Sequence, residues 1–263
     1  MDKRIGAQLY TLRDFCKTAE DLDSTLERVS TIGYKILQVS GIGPIPAKEI
    51  REIADRHNLE IKVTHRGFPE FTKDIDALVE FHKTLGADFA GIGMMPSEYY
   101  QSKEDLMRFV KLLSDASVEL SKNDLGLSYH NHALEFAKFD GEYIFDTLLN
   151  NTPECCKFMV DVHWVAAGGV DPAKWLLHCK DRLSGVHFKD FKILPGTNNS
   201  RFAEVLEGNL NWDEIFDACE KANAPYAFVE QDDCYGADPF LCMETSYKNL
   251  TKKGINLLKT FVS

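Results

Sequence analysis

The sequence predicts an α/β protein with a (β/α)8 TIM barrel fold, formed as a single domain by residues 1–263. Three observations lead to this fold. Short apolar runs alternate eight times with stretches of helical periodicity, as in parallel strands joined by helices. The turn after the first strand, at residues 10–14, contains no glycine, whereas a doubly wound open sheet usually has a glycine-rich turn there. Most of the apolar runs also end in a polar residue, and the strands of a barrel lead into its active site at that end.

The first half of the chain contains four predicted strands and three predicted helices. The strands cover residues 5–10, 35–39, 59–65 and 88–93, and the helices cover residues 19–32, 47–57 and 74–85. In the first helix Leu22, Leu26 and Val29 recur at helical spacing, and Gly33 stands where a helix C-cap belongs. Helices of ten or more residues between strands predict parallel pairing through crossover connections.

The second half repeats this pattern with four strands and five helices. The strands cover residues 125–130, 157–161, 183–188 and 226–230. The helices begin with a long one at residue 102 and continue with residues 141–150, 172–179, 212–222 and 239–261. Ser102 is an N-cap residue, and Asp105 three positions later completes an imperfect capping box. Residues 193–201 are predicted to form a loop after the seventh strand.

The composition narrows the classes of function. The formal net charge is −11, and a field of that sign repels phosphate backbones, so we expect no nucleic-acid partner. No apolar run approaches the length of a membrane span, so we expect no membrane association. Seven irregularly spaced cysteines, with no signal peptide before the first strand, are typical of a cytoplasmic enzyme with reduced thiols. A homo-oligomer is compatible with these features.

Residues 129–136 concentrate ligand-type side chains at the end of the fifth strand, with the sequence Tyr-His-Asn-His-Ala-Leu-Glu-Phe. Because side chains alternate along a strand, His130 and His132 fall on the same face. Two imidazoles in that position can reach a metal or a substrate. The alternative interpretation is that both histidines are hydrogen-bonded within a polar loop.

Three later strands also end in a ligand-type residue. Asp161, His187 and Glu230 each close an apolar run, and we expect them to converge because barrel active sites lie at the C-terminal strand ends. Carboxylates and imidazoles suit one divalent metal ion of the set Mn²⁺, Mg²⁺, Co²⁺ or Zn²⁺. Such an ion can bind two adjacent oxygens of a polyol or hydroxyketone and stabilise an enediolate. The expected partner is therefore a small-molecule carbohydrate.

Several stretches together carry a family resemblance. They are Gly-Ala-Gln-Leu-Tyr-Thr-Leu-Arg at residues 6–13, His-Asn-His with Glu-Phe within 130–136, Asp-Val-His-Trp at 161–164, His-Phe-Lys-Asp at 187–190, Glu-Gly-Asn-Leu-Asn-Trp at 207–212 and Val-Glu-Gln-Asp at 229–232. In these stretches the chain resembles the xylose isomerase-like TIM barrel superfamily, in the branch called the sugar phosphate isomerase/epimerase family.

This resemblance implies a divalent metal bound by Asp161, His187 and Glu230, with a fourth ligand from the fifth strand. The better-known epimerases have a glutamate at that strand end. This chain offers either His130 at the strand end or Glu135 from the following loop, and the sequence leaves the choice open.

Further candidates surround the expected metal. Glu230 and His132 are the candidates for proton transfer, because each is expected beside the metal. Lys189 is expected to add positive charge near a substrate oxyanion, and the alternative is a solvated lysine paired with Asp190. The candidate substrate-binding residues are Gln8, His65, Trp164 and Glu207.

The leading functional hypothesis is a metal-dependent isomerase or epimerase that acts on a sugar or keto-sugar through an enediolate. The alternative enzyme is a lyase or dehydratase of the inosose or 3-dehydroshikimate type, in which the same enediolate expels a β-hydroxyl group. An apurinic endonuclease would need three metals and more histidines than these strand ends supply. A sugar-binding protein without catalysis is disfavoured by the intact set of Asp161, His187 and Glu230. No phosphate cradle is evident, so the family's name does not assign a phosphorylated substrate.

Overall fold

Eight parallel strands close into a barrel in the computed structural model, which describes residues 4–253. The strands are β1 (Ile5–Gln8), β2 (Ile36–Val39), β3 (Glu60–Arg66), β4 (Phe89–Ile92), β5 (Gly126–His130), β6 (Cys156–Asp161), β7 (Leu183–Phe188) and β8 (Ala227–Val229). Each strand pairs with the next one along the chain, and β8 closes the barrel by pairing with both β7 and β1. The predicted (β/α)8 TIM barrel is confirmed, and the extent of its domain over residues 1–263 stays a prediction.

Helices surround the barrel. The longer ones are α1 (Ala19–Ile32), α2 (Ala47–Arg56), α3 (Ile75–Leu85), α4 (Lys103–Ser121), α5 (Ile144–Asn151), α6 (Pro172–His178), α7 (Trp212–Lys221) and α8 (Pro239–Lys252). The predicted extension of the last helix to residue 261 lies outside the described residues. Ser102 caps α4 by accepting a hydrogen bond from the amide of Asp105, and Gly33 ends α1 with a φ of 124°, as predicted. Between residues 4 and 253, no helix is both long and apolar enough to cross a membrane.

Short additional elements follow the strands on the C-terminal side of the barrel. The short helices are Leu9–Phe15, Glu70–Lys73, Ser97–Tyr100, Ala133–Phe136 and Val162–Ala167. Two antiparallel hairpins are Lys138–Phe139 with Glu142–Tyr143, and Asp190–Ile193 with Ser200–Ala203. The first predicted strand is too long, because the side chain of Gln8 accepts a hydrogen bond from the amide of Tyr10 and the chain turns there.

Alternate side chains of the strands fill the barrel interior in two layers. The lower layer is a buried apolar cluster of Ile36, Val63, Met159 and Phe228. Glycines make room in this layer: a Cβ at Gly126 would lie only 2.3 Å from the ring of Phe89. Because side chains have a period of two, the residues two positions further along point the same way, and they are Gln38, His65, Asp161 and Glu230. A polar layer therefore lies next to the apolar cluster, on the side of the C-terminal strand ends.

Candidate metal centre and active site

Four ligand-type side chains meet at the C-terminal mouth of the barrel. They belong to His130, Asp161, His187 and Glu230. Each of these residues offers one potential ligand atom, and the four atoms all lie within 4.8 Å of one another. His130 and Asp161 end β5 and β6, His187 is the second-to-last residue of β7, and Glu230 directly follows β8. All four residues are buried. The structure therefore brings together the three later strand-end residues, as their positions predicted, and adds His130 to them.

Hydrogen bonds on the far side of each imidazole turn one nitrogen of each histidine into this cluster. His130 donates from Nδ1 to the carbonyl oxygen of Gly93 at 3.0 Å, which leaves Nε2 facing Asp161 Oδ2 at 3.4 Å. His187 donates from Nε2 to Oε1 of Gln38 at 2.6 Å, which leaves Nδ1 facing Glu230 Oε2 at 2.9 Å. Histidines that bind metals are commonly held in this way, with the other ring nitrogen donating to a fixed acceptor.

Two buried atoms of the cluster have no partner of regular hydrogen-bond geometry among residues 4–253. They are His187 Nδ1 and Glu230 Oε2, which face each other. When the proton of His187 is on Nε2, both atoms present lone pairs, and the lone pairs repel each other. A proton or a cation between them removes this repulsion. Burial opposes a second proton on His187, but Glu230 and Asp161 outweigh burial and raise the pKa of this imidazole above its usual value. Two imidazoles and two carboxylates form a donor set that fits a divalent ion such as Zn²⁺, Mn²⁺ or Co²⁺.

Lys189 brings a cation to the centre of the site. Its Nζ lies 2.9 Å from Asp161 Oδ2, 2.7 Å from Glu230 Oε2 and 3.1 Å from Asp232 Oδ2. The contact with Asp232 is a hydrogen bond, and the approach to Glu230 is an ion contact without hydrogen-bond geometry. The ammonium group is thus enclosed by three carboxylates.

These charges hold one another in their ionised forms. Burial alone would raise the pKa of Asp161 and of Glu230, but Lys189, followed by the neighbouring histidines, outweighs burial and holds both pKa values below their usual range. Burial alone would lower the pKa of Lys189, but the three carboxylates raise it instead. Asp232 differs, because burial and the negative charge of Glu230 raise its pKa despite the nearby ammonium group. The buried lysine and the two cluster carboxylates are therefore charged at neutral pH.

Asp190 follows Lys189 in sequence but points away from it. The interpretation of Lys189 as a solvated lysine paired with Asp190 is wrong, because Lys189 is only 1% exposed. Asp190 accepts hydrogen bonds from Trp212 Nε1 at 2.6 Å and from the amide of Gly208 at 3.0 Å. It therefore anchors the loop before α7, while Lys189 belongs to the site.

Glu135 is the other candidate for the fourth ligand, and the structure places it outside the four-residue cluster. Its Oε1 accepts hydrogen bonds from the hydroxyl groups of Tyr100 at 2.5 Å and Tyr129 at 2.6 Å, and its Oε2 accepts one from the amide of His132 at 2.7 Å. Burial raises the pKa of Glu135, although these donors oppose the rise. Glu135 braces the turn after β5, and of the two alternatives for the fourth ligand it is His130, not Glu135, that lies in the cluster.

Asn131 explains why the His-Asn-His motif carries an amide between its histidines. Its Oδ1 accepts a hydrogen bond from the backbone amide of Asp161 at 2.9 Å and so ties β5 to β6 at their ends. Asp161 Oδ1 accepts from the amide of Trp164 at 3.0 Å and caps the short helix Val162–Ala167. The carboxylate of Asp161 is held in place, with Oδ2 left to face the cluster.

A polar cavity of about 520 Å³ opens above the cluster. Of the residues predicted to contact substrate or to move a proton, those that line it are Gln8, His65, His132, Lys189 and Glu230. Trp164 is beside it, with a ring centroid 5.4 Å from that of His132. Glu207 is exposed, does not line the cavity, and accepts a hydrogen bond from Asn249 of α8 at 3.3 Å. The structure does not bring Glu207 to the predicted substrate site, because the loop held by Asp190 carries it toward α8.

Two histidines face the cavity as neutral imidazoles. Burial, with help from the neighbouring His130, lowers the pKa of His132 to about 3. Burial also lowers the pKa of His65 well below its usual value. His132 Nδ1 and Gln8 Nε2 are buried and have no hydrogen-bond partner among residues 4–253. Both residues line the cavity, and each brings to it a polar atom without a partner among the described residues.

Sequence reasoning assigned no role to two residues of the site. Gln38 orients His187, and Asp232 contacts Lys189. The signal for Gln38 was an amide inside an otherwise apolar strand, where a buried polar group needs partners. The signal for Asp232 was its spacing of two residues from Glu230.

The same fold occurs in several solved structures. The chain is similar to a sugar phosphate isomerase/epimerase from Parabacteroides distasonis ATCC 8503, with a TM-score of 0.82 and 22% identity over 97% of this chain and 96% of that one. It is similar to the probable 3-DHS dehydratase AsbF from Bacillus anthracis, with a TM-score of 0.72 and 11% identity over 94% and 98% of the two chains. The IOLI protein, in a structure with a bound zinc atom, gives a TM-score of 0.74 and 13% identity over 99% of both chains. No curated protein sequence matches the chain.

Identities this low show a shared fold and nothing more specific. The family itself is established by sequence, because the model of the xylose isomerase-like TIM barrel matches residues 26–259. This match covers most of the chain and includes all four residues of the cluster. The chain therefore belongs to the xylose isomerase-like TIM barrel family.

Proposed function

We propose that the protein is a divalent-metal-dependent isomerase or epimerase that acts on a sugar or keto-sugar through an enediolate. The observation that carries the proposal is the buried cluster of His130, Asp161, His187 and Glu230, whose ligand atoms lie within 4.8 Å of one another beneath a polar cavity. These four residues would hold the ion. When bound, the ion would polarise a substrate carbonyl and an adjacent hydroxyl group and so stabilise the developing negative charge.

The chain's own groups would then position the substrate and move the proton. His132 presents a neutral imidazole to the cavity, and Glu230 presents a carboxylate, so either can accept the proton from the carbon beside the carbonyl. In an isomerase the same group would return the proton to the neighbouring carbon, whereas in an epimerase the second of these two groups would deliver a proton to the other face of the first carbon. Lys189, which lines the cavity, would supply positive charge to the developing oxyanion. Gln8 Nε2, which has no partner in the described part of the chain, is free to donate to a substrate hydroxyl group.

The charges around the cavity favour a substrate without a phosphate group. The cationic residues in its lining are Arg66 and Lys189. Arg66 contacts Glu70 at 2.7 Å, and Lys189 contacts three carboxylates. Because both cations already have acidic partners, neither is free to neutralise a phosphate. We therefore propose an uncharged keto-sugar or inosose as the substrate class.

The test combines metal analysis with a substrate screen. Purified protein is assayed on keto-sugars and inososes before chelation, after chelation, and after Mn²⁺, Mg²⁺, Co²⁺ or Zn²⁺ is added back. Activity should disappear with the metal and return with it, and Glu230→Gln should lower kcat by about 10²–10⁴-fold even at saturating metal. In D₂O, deuterium should appear on the carbon beside the carbonyl.

Two outcomes would change the assignment. A product that has lost the mass of one water would identify the dehydratase alternative, because epimerisation and isomerisation conserve mass. Full activity in metal-free protein would exclude the metal-dependent mechanism altogether.

The ligand set has a separate test. His130→Ala should weaken metal binding strongly, whereas Glu135→Gln should retain it, because Glu135 is occupied by the two tyrosines and the amide of His132. Titration of metal-free protein with each ion measures both affinities. Equal affinities in the two variants would contradict the assignment of His130 as the fourth ligand.

The proposed compartment is the cytoplasm. All seven cysteines are free in the structure, five of them buried, and reduced thiols of this kind are usual in reducing compartments.

A further inference from the structure

Lys189 and the proposed metal require the same two oxygen atoms. Nζ of Lys189 lies 2.9 Å from Asp161 Oδ2 and 2.7 Å from Glu230 Oε2. Those two oxygens also face the free imidazole nitrogens of the cluster. Two cations that share two buried carboxylates repel each other strongly, because the surroundings are poorly polarisable. The ammonium group therefore occupies the site as a competitor of the metal.

A displaced buried ammonium group still needs a partner, since a buried unpaired charge is strongly unfavourable. Asp232 Oδ2 lies 3.1 Å from Nζ and accepts a hydrogen bond from it, and Asp232 is outside the four-residue cluster. Within residues 4–253, Asp232 is the one remaining carboxylate at ion-pair distance from Lys189. Two aromatic rings also lie near Nζ, those of Trp164 and Phe202, with centroids 5.5 and 5.9 Å away.

We propose that Lys189 is a built-in counter-cation of the metal-free site, and that Asp232 is the positioning residue that retains its ammonium group when a metal takes over Asp161 and Glu230. This inference rests on the proposed function, because it requires that the cluster binds a divalent ion. Asp232 lines the cavity and its side chain is 23% exposed, so the retained ammonium group would face the substrate. Metal loading would thus deliver Lys189 to the position in which it stabilises an oxyanion.

The test is a double-mutant cycle of metal affinity, measured calorimetrically by titrating Mn²⁺ or Zn²⁺ into chelator-treated protein. Lys189→Met removes the competitor and should tighten metal binding by about tenfold or more. Asp232→Asn removes the retaining carboxylate and should weaken binding by about tenfold or more. In the Lys189→Met background the Asp232→Asn effect should shrink to about threefold or less, because no ammonium group remains to be retained.

Asp233→Asn is the matched control, because it removes the same charge at the next position in the chain. The side chain of Asp233 is exposed, and its Oδ1 accepts a hydrogen bond from the amide of Tyr235. It should leave metal affinity within about threefold of the wild-type value. If Asp232→Asn weakens binding equally in both backgrounds, Asp232 acts only as one more negative charge and the inference is overturned. Unchanged or weaker metal binding in Lys189→Met would show that the ammonium group does not compete with the metal, and it would overturn the inference.

A second measurement keeps the test decisive if Lys189→Met does not fold without metal. Asp232→Asn leaves Lys189 and its contacts with Asp161 and Glu230 in place, so this variant should fold. Saturating metal should raise its thermal midpoint less than it raises that of the wild type, and an equal rise overturns the inference. Failure of the wild-type protein to bind either ion would overturn the proposed function and this inference together, whereas normal binding without coupling would overturn the inference alone.

Discussion

Gln38 joins two imidazoles that belong to different strands. Its Oε1 accepts a hydrogen bond from His187 Nε2 at 2.6 Å, and its Nε2 donates to His65 Nε2 at 2.8 Å. Because His65 accepts at Nε2, its proton is on Nδ1, which lies 3.3 Å from Ser40 Oγ. One amide therefore sets the protonated nitrogen of both rings, and it leaves Nδ1 of His187 free to face Glu230.

Gln38→Leu should weaken metal binding by about 10–100-fold, because loss of an outer hydrogen-bond partner usually costs a metal-binding histidine that much. Leucine fills a similar volume in the buried strand but cannot hold His187 in one orientation. The measurement is a metal titration of chelator-treated protein, with circular dichroism to verify folding. Gln101→Leu is the matched control, since Gln101 is exposed and its side chain only donates to the carbonyl oxygen of Ser97. Equal affinities in the two variants would show that Gln38 does not orient the ligand.

At the scale of elements, His82 attaches α3 to β3. Its Nδ1 donates to the carbonyl oxygen of Leu78 at 2.6 Å, so its Nε2 accepts from Thr64 Oγ1 at 2.7 Å. The bond from Thr64, which joins the helix to the strand, requires the neutral imidazole, because a protonated Nε2 has no lone pair to accept with. Burial disfavours the charged form and lowers the pKa of His82 from 6.5 to about 4. The contact between this helix and its strand is therefore sensitive to acid.

Stability should fall as the pH drops, because the pKa of His82 is lower in the folded protein than in the unfolded chain. The contribution is fully present above about pH 6.5 and is lost as the pH falls toward and through 4, since the unfolded chain binds the proton first. The part of the free energy of unfolding that is lost between pH 7.5 and 5 for this reason is about 2 kcal/mol. Urea unfolding at both pH values should show a smaller loss of the free energy of unfolding in His82→Gln than in the wild type. The same loss in both proteins would contradict this account.

The elements that could be predicted from sequence are those whose pattern is local. The alternation of apolar strands and amphipathic helices predicted the barrel, and the period of two within strands predicted which residues meet at its mouth. The turns depend on distant partners instead. Its position shortly after the fifth strand made Glu135 a candidate metal ligand. The hydroxyl group of Tyr100, 35 residues away in sequence, helps to hold Glu135 outside the cluster. Residues 193–201 were predicted to be a loop, but Ser200–Ala203 pairs with Asp190–Ile193, and the hydroxyl group of Tyr235 also accepts a hydrogen bond from the amide of Phe202.

At the scale of the whole molecule, the cluster joins four consecutive strand ends of a closed sheet. Its residues come from the ends of β5, β6 and β7 and from the position after β8. These strands are separated in sequence by helices, so global unfolding separates the four ligands from one another. An ion that binds the assembled cluster and not the unfolded chain must stabilise the entire barrel.

The metal should therefore raise the thermal midpoint of the protein in a concentration-dependent way. At a free metal concentration of 100 times Kd, binding adds about 2.7 kcal/mol to the free energy of unfolding. For a domain of this size that gain corresponds to a rise of about 5–10 °C. The measurement is thermal unfolding of chelator-treated protein across a series of Mn²⁺ or Zn²⁺ concentrations. His187→Gln should show almost no rise, because it removes a nitrogen ligand from β7, whereas His178→Gln, at the end of α6 and outside the cluster, should behave like the wild type. An equal rise in His187→Gln and the wild type would mean that the ion binds elsewhere and that the cluster is not its site.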